Sequence, residues 1–294
     1  MSAADPVRRV VLVDGVPMSG LAVTVADPRA VVVAVHGGAT SSAYFDCPGR
    51  PALSLLRAAA AQGFSAIALD RPGYGASGLY ADGFADPALR VEAAFGAVDA
   101  MLGNAFRGAG LFLVGHSAGC ELVLRMAITR AEVIGVELAG TGLRYSGPAG
   151  DVINEASVTS RPAGLRDLLW QPTDLYPPEV LTGALSAPGA AYEGEVTANW
   201  PRRDFPDTAA RLRIPVQFSV AEHEKVWETD AESVAAIAAL FTGSPRVRVN
   251  EMPASGHNLS VGHSAGEYHR RVLSFAEDCL AAGPGRETDR EEAS

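Results

Sequence analysis

Residues 110–126, GLFLVGHSAGCELVLRM, place a short polar turn between two apolar segments. Residues 111–114 form a continuous apolar run of strand length, and from residue 120 onward the apolar side chains recur at helical spacing. The turn, GHSAG at 115–119, fits the pattern G-x-S-x-G, in which a serine occupies a tight strand-to-helix connection. Small flanking residues are expected because such a turn is strained and neighbouring backbone passes close to it. The stretch therefore predicts a buried strand, a sharp turn that presents Ser117, and a helix.

The same five residues, GHSAG, occur again at 262–266. A helix is also predicted after this second copy, but the residues before it, 255–261 (SGHNLSV), are polar and contain a glycine. Such a run is not typical of the buried strand that delivers a serine to the edge of a sheet. We interpret Ser264 as a residue at the start of a helix, where serine is common, and Ser117 as the candidate nucleophile.

Apolar runs rich in β-branched residues recur along the chain and alternate with helical segments. The predicted strands lie at 8–15, 20–27, 30–38, 64–70, 110–115, 133–140, 214–221 and 246–252. The predicted helices lie at 51–63, 86–103, 120–130, 230–243 and 266–283. This alternation with short links is typical of a parallel sheet covered by helices on both faces. The first two strands are expected to form a hairpin that turns at residues 16–19 (VPMS).

The alternation of strands and helices stops between the sixth and seventh predicted strands. Residues 141–206 contain eight prolines and most of the larger aromatic side chains of this half of the chain. We interpret them as a cap insertion, so that residues 1–140 and 207–282 form the core domain. Residues 283–294 (GPGRETDREEAS) are polar and lack an apolar anchor, which predicts a disordered tail.

Composition and charge indicate the size of the fold and exclude some classes of binding partner. A chain of 294 residues with 48% hydrophobic and 20% charged residues suits one large α/β unit with a substantial core. Its net charge of −10 is unfavourable for nucleic acid, which requires a basic face. The three cysteines, Cys47, Cys120 and Cys279, are too scattered for a disulfide framework or a zinc site. Without an apolar run of about 18 residues or a signal-peptide core, we expect a cytoplasmic protein that binds no membrane. No pattern sets an oligomeric state.

Four motifs occur in the order in which the α/β-hydrolase family carries them, and the chain resembles that family from about residue 7 to residue 280. They are HG at 36–37 after the third strand, D-x-P-G-x-G-x-S at 70–77 after the fourth, the serine turn at 115–119, and GH at 256–257 after the last strand. The resemblance implies a mostly parallel eight-stranded α/β-hydrolase sheet with helices on both faces and a cap inserted after strand six. It implies a small-molecule substrate and neither a metal nor an organic cofactor.

Members of this family use a serine, an acid and a histidine, which follow one another in that order along the chain. The serine hydroxyl is a weak nucleophile, so it needs a base within hydrogen-bond reach, and the base needs an acidic partner. His257, in a glycine-flanked loop directly after the last strand, is the predicted base. His36 belongs to the first motif and His116 to the serine turn, so both are expected to be structural.

The acid is expected after the seventh strand, where relatives carry a glycine, two variable residues and an aspartate. This chain reads AEHE at 221–224, so alanine replaces the glycine and glutamate replaces the aspartate. Glutamate is one methylene longer, and its approach to the imidazole must be re-angled. Glu224 is the predicted acid. The alternatives are Glu222, Asp230 and a residue near Thr141 after the sixth strand.

Backbone N–H groups are expected to form an oxyanion hole, because they are fixed donors that need no reorganisation as charge develops. The resemblance assigns this role to the amides of Ala118 and Gly38, with Ala39 as an alternative to Gly38. The D-x-P-G-x-G-x-S loop is expected to be mostly architectural, although Tyr74 or Ser77 could touch a ligand.

Aromatic residues of the predicted cap are candidates for a pocket that holds an acyl chain or a ring. Trp170, Tyr176 and Trp200 are the predicted substrate-binding residues, and Tyr192 is a further candidate. For each of them the alternative role is to hold the cap on the sheet.

These residues favour a serine hydrolase that cleaves a carboxylic ester or thioester of a small molecule through an acyl-enzyme. The same three residues also serve acyltransferases and cyclases of natural-product biosynthesis, and hydrolases of C–C or amide bonds, so these activities stay open. A hydrolase-like receptor that binds a small molecule is a further alternative, which the predicted triad disfavours.

Overall fold

A computed structural model describes residues 5–147, 149–155 and 162–282. Its strands are β1 (Val7–Val13), β2 (Val16–Val23), β3 (Val31–Val35), β4 (Ser65–Leu69), β5 (Leu111–His116), β6 (Val133–Ala139), β7 (Val216–His223) and β8 (Val247–Gly256). They form one sheet in the order β1-β2-β4-β3-β5-β6-β7-β8. Strands β3 to β8 run parallel, while β2 is antiparallel to both β1 and β4. The mostly parallel, eight-stranded sheet predicted from the sequence is confirmed.

Helices cover both faces of this sheet. They are α1 (Leu55–Ala61), α2 (Pro87–Leu102), α3 (Gly119–Ala127), α4 (Ala149–Glu155), α5 (Leu165–Trp170), α6 (Glu193–Asn199), α7 (Phe205–Ala210), α8 (Ala231–Leu240) and α9 (Ala265–Ala282). Buried residues of α2, α3, α7 and α8 share one apolar cluster, and those of α1 and α9 share a second.

The central strand β3 shows why the sheet is buried on two sides. All five of its residues are buried; Val31, Val33 and Val35 join the first apolar cluster, and Val32 and Ala34 join the second. Successive side chains of a strand point to opposite faces, so only a continuous apolar run can fill both cores.

The predicted turn of the first hairpin is wrong by two residues. Strand β2 begins at Val16, which pairs with Val13, so the turn consists of Asp14 and Gly15. Both turn residues have positive φ, 49° and 83°, as in the two-residue turn that suits the twist of a hairpin and favours Asp-Gly. The second strand accordingly ends at Val23 and does not continue to residue 27.

Helices α4 to α7 lie in sequence between β6 and β7, together with short 3₁₀ turns and a π-helical turn at Trp200–Asp204. The division into a core and a cap at 141–206 stays a prediction; its second boundary falls inside α7, whose Phe205 packs in the first apolar cluster. The predicted tail, 283–294, lies outside the described residues. Within the described ranges, no helix combines the length and the apolar character needed to cross a membrane.

Candidate active site

Ser117 occupies a strained turn between β5 and α3. Its φ of +51° lies in the left-handed region, which non-glycine residues rarely adopt. The glycines on either side are required by space: a Cβ at Gly115 would lie 2.5 Å from a valine methyl of α3, and one at Gly119 would overlap the carbonyl group of Val35. The backbone N–H of Ser117 donates to the carbonyl of Ala139 (2.8 Å) at the end of the adjacent strand β6. The turn is therefore anchored at the carboxyl edge of the sheet.

His257 and Glu224 form a buried hydrogen-bonded pair. His257 directly follows β8, and its Nδ1 lies 2.9 Å and 3.0 Å from the two carboxylate oxygens of Glu224, which directly follows β7. The side chains are only 1% and 3% exposed. Glu224 Oε1 also accepts a hydrogen bond from the backbone N–H of Val226 (2.8 Å), which fixes the carboxylate. With Nδ1–H donating to Glu224, the ring presents Nε2 as an acceptor.

His257 and Ser117 line one cavity of about 460 Å³. In the described part of the chain, His257 Nε2 is buried and has no hydrogen-bond partner. Gly38 and Asn258 line the same cavity. The side chains of Ser117 and His257 therefore border one space that a small molecule can enter, and Nε2 makes no hydrogen bond to any described residue, Ser117 included.

The alternative residues considered for the acid make hydrogen bonds to other groups. Glu222 is exposed, and its carboxylate accepts from the backbone N–H of Ala254 (2.7 Å). Asp230 caps helix α8 by accepting from a backbone N–H of its first turn (3.0 Å). Thr141 accepts a hydrogen bond from the indole of Trp200 (2.9 Å). Of the carboxylates considered from the sequence, Glu224 is the one that contacts His257.

The loop after β3 lies against the serine turn. A Cβ on Gly37 would lie 3.0 Å from the Cβ of Ser117. The carbonyl of Gly37 accepts from His36 Nδ1 (2.8 Å) and from Arg71 Nη2 (3.0 Å). The Gly37 carbonyl and the Gly38 N–H belong to the same peptide group. Because the C=O and N–H of a trans peptide point in opposite directions, the N–H of Gly38 points away from Arg71. The alternative donor, the N–H of Ala39, is already bonded to the hydroxyl of Tyr74 (3.1 Å).

Two further histidines support these loops. Burial and the nearby Arg71 lower the pKa of His36 to about 3, so the ring is neutral; Nδ1 donates to the Gly37 carbonyl and Nε2 accepts from the Arg71 backbone N–H (3.0 Å). His116 stacks on Tyr44 (4.5 Å between ring centroids), and its Nε2 donates to the carbonyl of His257 (2.9 Å). Burial lowers the pKa of His116 well below its usual value, so this ring is also neutral.

Of the predicted substrate-binding aromatics, Trp170 lines the cavity. Tyr176 lies behind it, edge-on to the indole at 5.2 Å, and its hydroxyl accepts from the backbone N–H of Asn258 (3.2 Å). Trp200 is 4% exposed and stacks on Phe205 at 5.0 Å between ring centroids. Neither Tyr176 nor Trp200 is among the described residues that line the cavity: the first bonds to the loop of His257, and the second packs in the first apolar cluster, so substrate binding by these two residues stays a prediction.

Most of the cavity wall consists of residues that the sequence did not single out. Apolar side chains from α5 and the following turns line it, namely Leu165, Leu169, Val180, Leu181 and Leu185. Of the described lining residues, Arg166 is the one with a permanent charge. The spacing of leucines in LRDLLW (165–170) carried a weak helical signal, but nothing in it showed which face meets the cavity.

The sequence profile of the alpha/beta hydrolase family matches residues 32–271. No curated protein matches the chain. Among solved structures, a carboxyl esterase from Bacillus coagulans is similar with a TM-score of 0.64 and 16% identity, over 94% of this chain and 99% of the esterase. E-2-(acetamidomethylene)succinate hydrolase is similar with a TM-score of 0.64 and 17% identity, over 93% of this chain and 98% of that enzyme. The thioesterase domain from the curacin biosynthetic pathway has a TM-score of 0.59 and 16% identity, over 92% of this chain and all (100%) of the domain.

At these identities the structural similarity shows a shared fold and no more. The family profile, by contrast, spans most of the sequence and includes the serine turn and the loop of His257. The chain belongs to the α/β-hydrolase family.

Proposed function

We propose that the protein is a serine hydrolase that cleaves a carboxylic ester or thioester of a small molecule through an acyl-enzyme. The observation that carries this proposal is the buried His257–Glu224 pair: His257 has an unpartnered Nε2 and lines the same cavity as Ser117. A serine hydrolase requires a base held in this way, whereas a receptor that only binds a ligand does not.

In the proposed reaction, the Oγ of Ser117 attacks the substrate carbonyl carbon while its proton passes to Nε2 of His257. Glu224 stabilises the resulting imidazolium. The N–H groups of Gly38 and Ala118 donate to the developing oxyanion. When the tetrahedral intermediate collapses, His257 returns the proton to the leaving alcohol or thiol, and the acyl group remains on Ser117. Water, activated by His257, then attacks the acyl-enzyme and releases the acid.

The cavity wall supports a substrate with an apolar acyl group. Away from Ser117 it is built mainly from aliphatic side chains of residues 165–185 and the indole of Trp170. A cavity of about 460 Å³ lies in the range of small-molecule sites, which are mostly apolar with a few polar groups. An acyltransferase or cyclase would use the same acyl-enzyme and differ in the group that attacks it.

The duplicated pentapeptide provides a matched pair of variants for the test. A fluorophosphonate probe should label the wild-type protein and Ser264→Ala but not Ser117→Ala. Hydrolysis of p-nitrophenyl esters of rising chain length, and of acyl thioesters, should follow the same order. Product analysis then separates a free acid from a transferred or cyclised acyl group. Labelling that survives in Ser117→Ala, or disappears in Ser264→Ala, contradicts the proposal.

A further inference from the structure

We infer that Glu193, the first residue of α6, is a positioning residue for the oxyanion loop (residues 36–39) and acts on that loop through Arg71. This role rests on the proposed hydrolase function. It assigns part of the catalytic geometry to a residue that lies in the segment between β6 and β7, far from the motifs in sequence.

The guanidinium of Arg71 is buried and depends on Glu193 for its counter-charge. Its side chain is 2% exposed, and that of Glu193 is 18% exposed. Arg71 Nη2 bonds to a carboxylate oxygen of Glu193 and to the carbonyl of Gly37 (3.0 Å), while Nε finds no partner in the described ranges. A buried cation is unfavourable without a carboxylate beside it. Without Glu193, we therefore expect Arg71 to turn toward solvent and release the Gly37 carbonyl.

The same ion pair lies beside the residue that carries the proposed oxyanion donor. A Cβ on Gly38 would lie 3.5 Å from Oε1 of Glu193, so the carboxylate lies next to the loop at this residue. The Gly37 carbonyl, held by Arg71 and His36, sets the orientation of the peptide that carries the Gly38 N–H. If Arg71 moves, this peptide loses one of the two bonds that orient it.

The next residue of the loop is held from both sides. Ala39 has a φ of +51°, a conformation that persists only where the surroundings enforce it. Its N–H donates to the hydroxyl of Tyr74 (3.1 Å), whose ring lies 4.7 Å beneath the Arg71 guanidinium. Its carbonyl accepts from the N–H of Ala187 (2.9 Å), in the same segment as Glu193. The loop is thus clamped between the loop after β4 and the segment that precedes α6.

A misplaced oxyanion donor weakens the transition state more than it weakens substrate binding, because the full charge develops only during the reaction. The expected signature of losing Glu193 is therefore a lower kcat with little change in KM. A direct effect of its charge would have the opposite sign, since a carboxylate near the oxyanion repels it, and its removal would raise kcat.

The test compares Glu193→Gln with Glu195→Gln, which removes the same charge from an exposed position on the same helix. We expect Glu193→Gln to lower kcat by about tenfold or more, toward the ~10²-fold that removing an oxyanion-hole donor costs. KM should stay within about twofold of the wild-type value. Affinity for a trifluoromethyl ketone, which forms a tetrahedral adduct with Ser117, should fall by the same factor as kcat. Glu195→Gln should match the wild type in all three measurements.

A double variant separates positioning from stability. Replacing both partners, Arg71→Met with Glu193→Met, removes the unpaired buried charge, so thermal stability should recover relative to Glu193→Gln. The kcat should stay low, because the Gly37 carbonyl still lacks the bond from Arg71. If kcat recovers together with stability in the double variant, the positioning role is overturned. The same follows if Glu193→Gln is folded and its kcat and ketone affinity are unchanged or raised. Either result leaves the proposed hydrolase function standing. A wild-type protein that neither hydrolyses esters nor binds the ketone overturns the proposed function and this role with it.

Discussion

Replacing Glu224 by glutamine should remove most of the activity and leave the fold intact. In the wild type, both carboxylate oxygens lie within 3.0 Å of His257 Nδ1, so that nitrogen carries the proton and Nε2 is free to accept one. Glutamine presents an NH₂ group at one of these positions. If that group faces Nδ1, the ring proton moves to Nε2, which then has no lone pair for the proton of Ser117.

The geometry around Glu224 sets the range of the effect. Its Oε1 already serves both His257 Nδ1 (2.9 Å) and the N–H of Val226 (2.8 Å), so a glutamine oxygen in that place keeps the tautomer and loses only the charge. In this orientation we expect a loss of kcat of ~10²-fold, and in the flipped orientation a loss of ~10⁴-fold, as for other triads with an amide in place of the acid. These factors correspond to about 2.7 and 5.5 kcal/mol of transition-state stabilisation.

The assay is steady-state ester hydrolysis, with circular dichroism and thermal unfolding to show that each variant is folded. Glu222→Gln is the matched control, because it changes a carboxylate two residues away that faces solvent and the N–H of Ala254. Its kcat should stay within about threefold of the wild type, as for a surface substitution. The assignment of the acid is refuted if Glu224→Gln keeps wild-type kcat, or if Glu222→Gln loses as much.

Two ionisable residues, the buried Glu137 and the cavity-lining Arg166, give further predictions. Burial raises the pKa of Glu137 from its ordinary 4.5 to about 8, so the folded protein holds a proton that the unfolded chain has released. The free energy of unfolding should therefore fall by about 2 kcal/mol between pH 6.5 and pH 8. Urea unfolding at both pH values should show this loss in the wild type and not in Glu137→Gln. Equal losses in the two proteins would contradict the raised pKa of Glu137. Arg166 is an exposed cation at the cavity. Arg166→Gln should therefore lower kcat/KM several-fold for a p-nitrophenyl ester with a terminal carboxylate. The kcat/KM for the neutral ester of equal length should stay unchanged. A similar loss for both esters, or the same loss in the exposed Arg202→Gln, would remove the basis for charge selection.

The sheet and the order of motifs were predictable because each rests on local physics. A strand buried on both faces must be apolar at every position, as β3 is, and the serine turn must carry glycines where backbone and side chains pass within van der Waals distance. The hairpin was equally local: Asp14-Gly15 is the signal for a two-residue turn, and the prediction failed because it assigned these two residues to the first strand and placed the turn at 16–19.

The roles of residues between β6 and β7 were not predictable in the same way, because they depend on contacts across long stretches of chain. Nothing near Trp200 in sequence indicates that its indole bonds to Thr141, and nothing near Glu193 indicates a partner 122 positions away. In the sequence of such a segment, an aromatic residue that contacts a ligand looks the same as one that packs in the core. Only the fold of the segment decides between the two.

That segment also touches both halves of the proposed catalytic machinery. On the side of the base, the hydroxyl of Tyr176 and the carbonyl of Leu169 accept from the backbone and side chain of Asn258, directly after His257. On the side of the oxyanion loop, Ala187 bonds to the carbonyl of Ala39. Residues between Leu165 and Leu185 meanwhile line the cavity. Because one stretch of chain shapes the pocket and braces both loops, a substitution that reshapes the pocket also changes the support of the base and the oxyanion donor. Substrate preference and kcat are therefore expected to vary together when this stretch is altered.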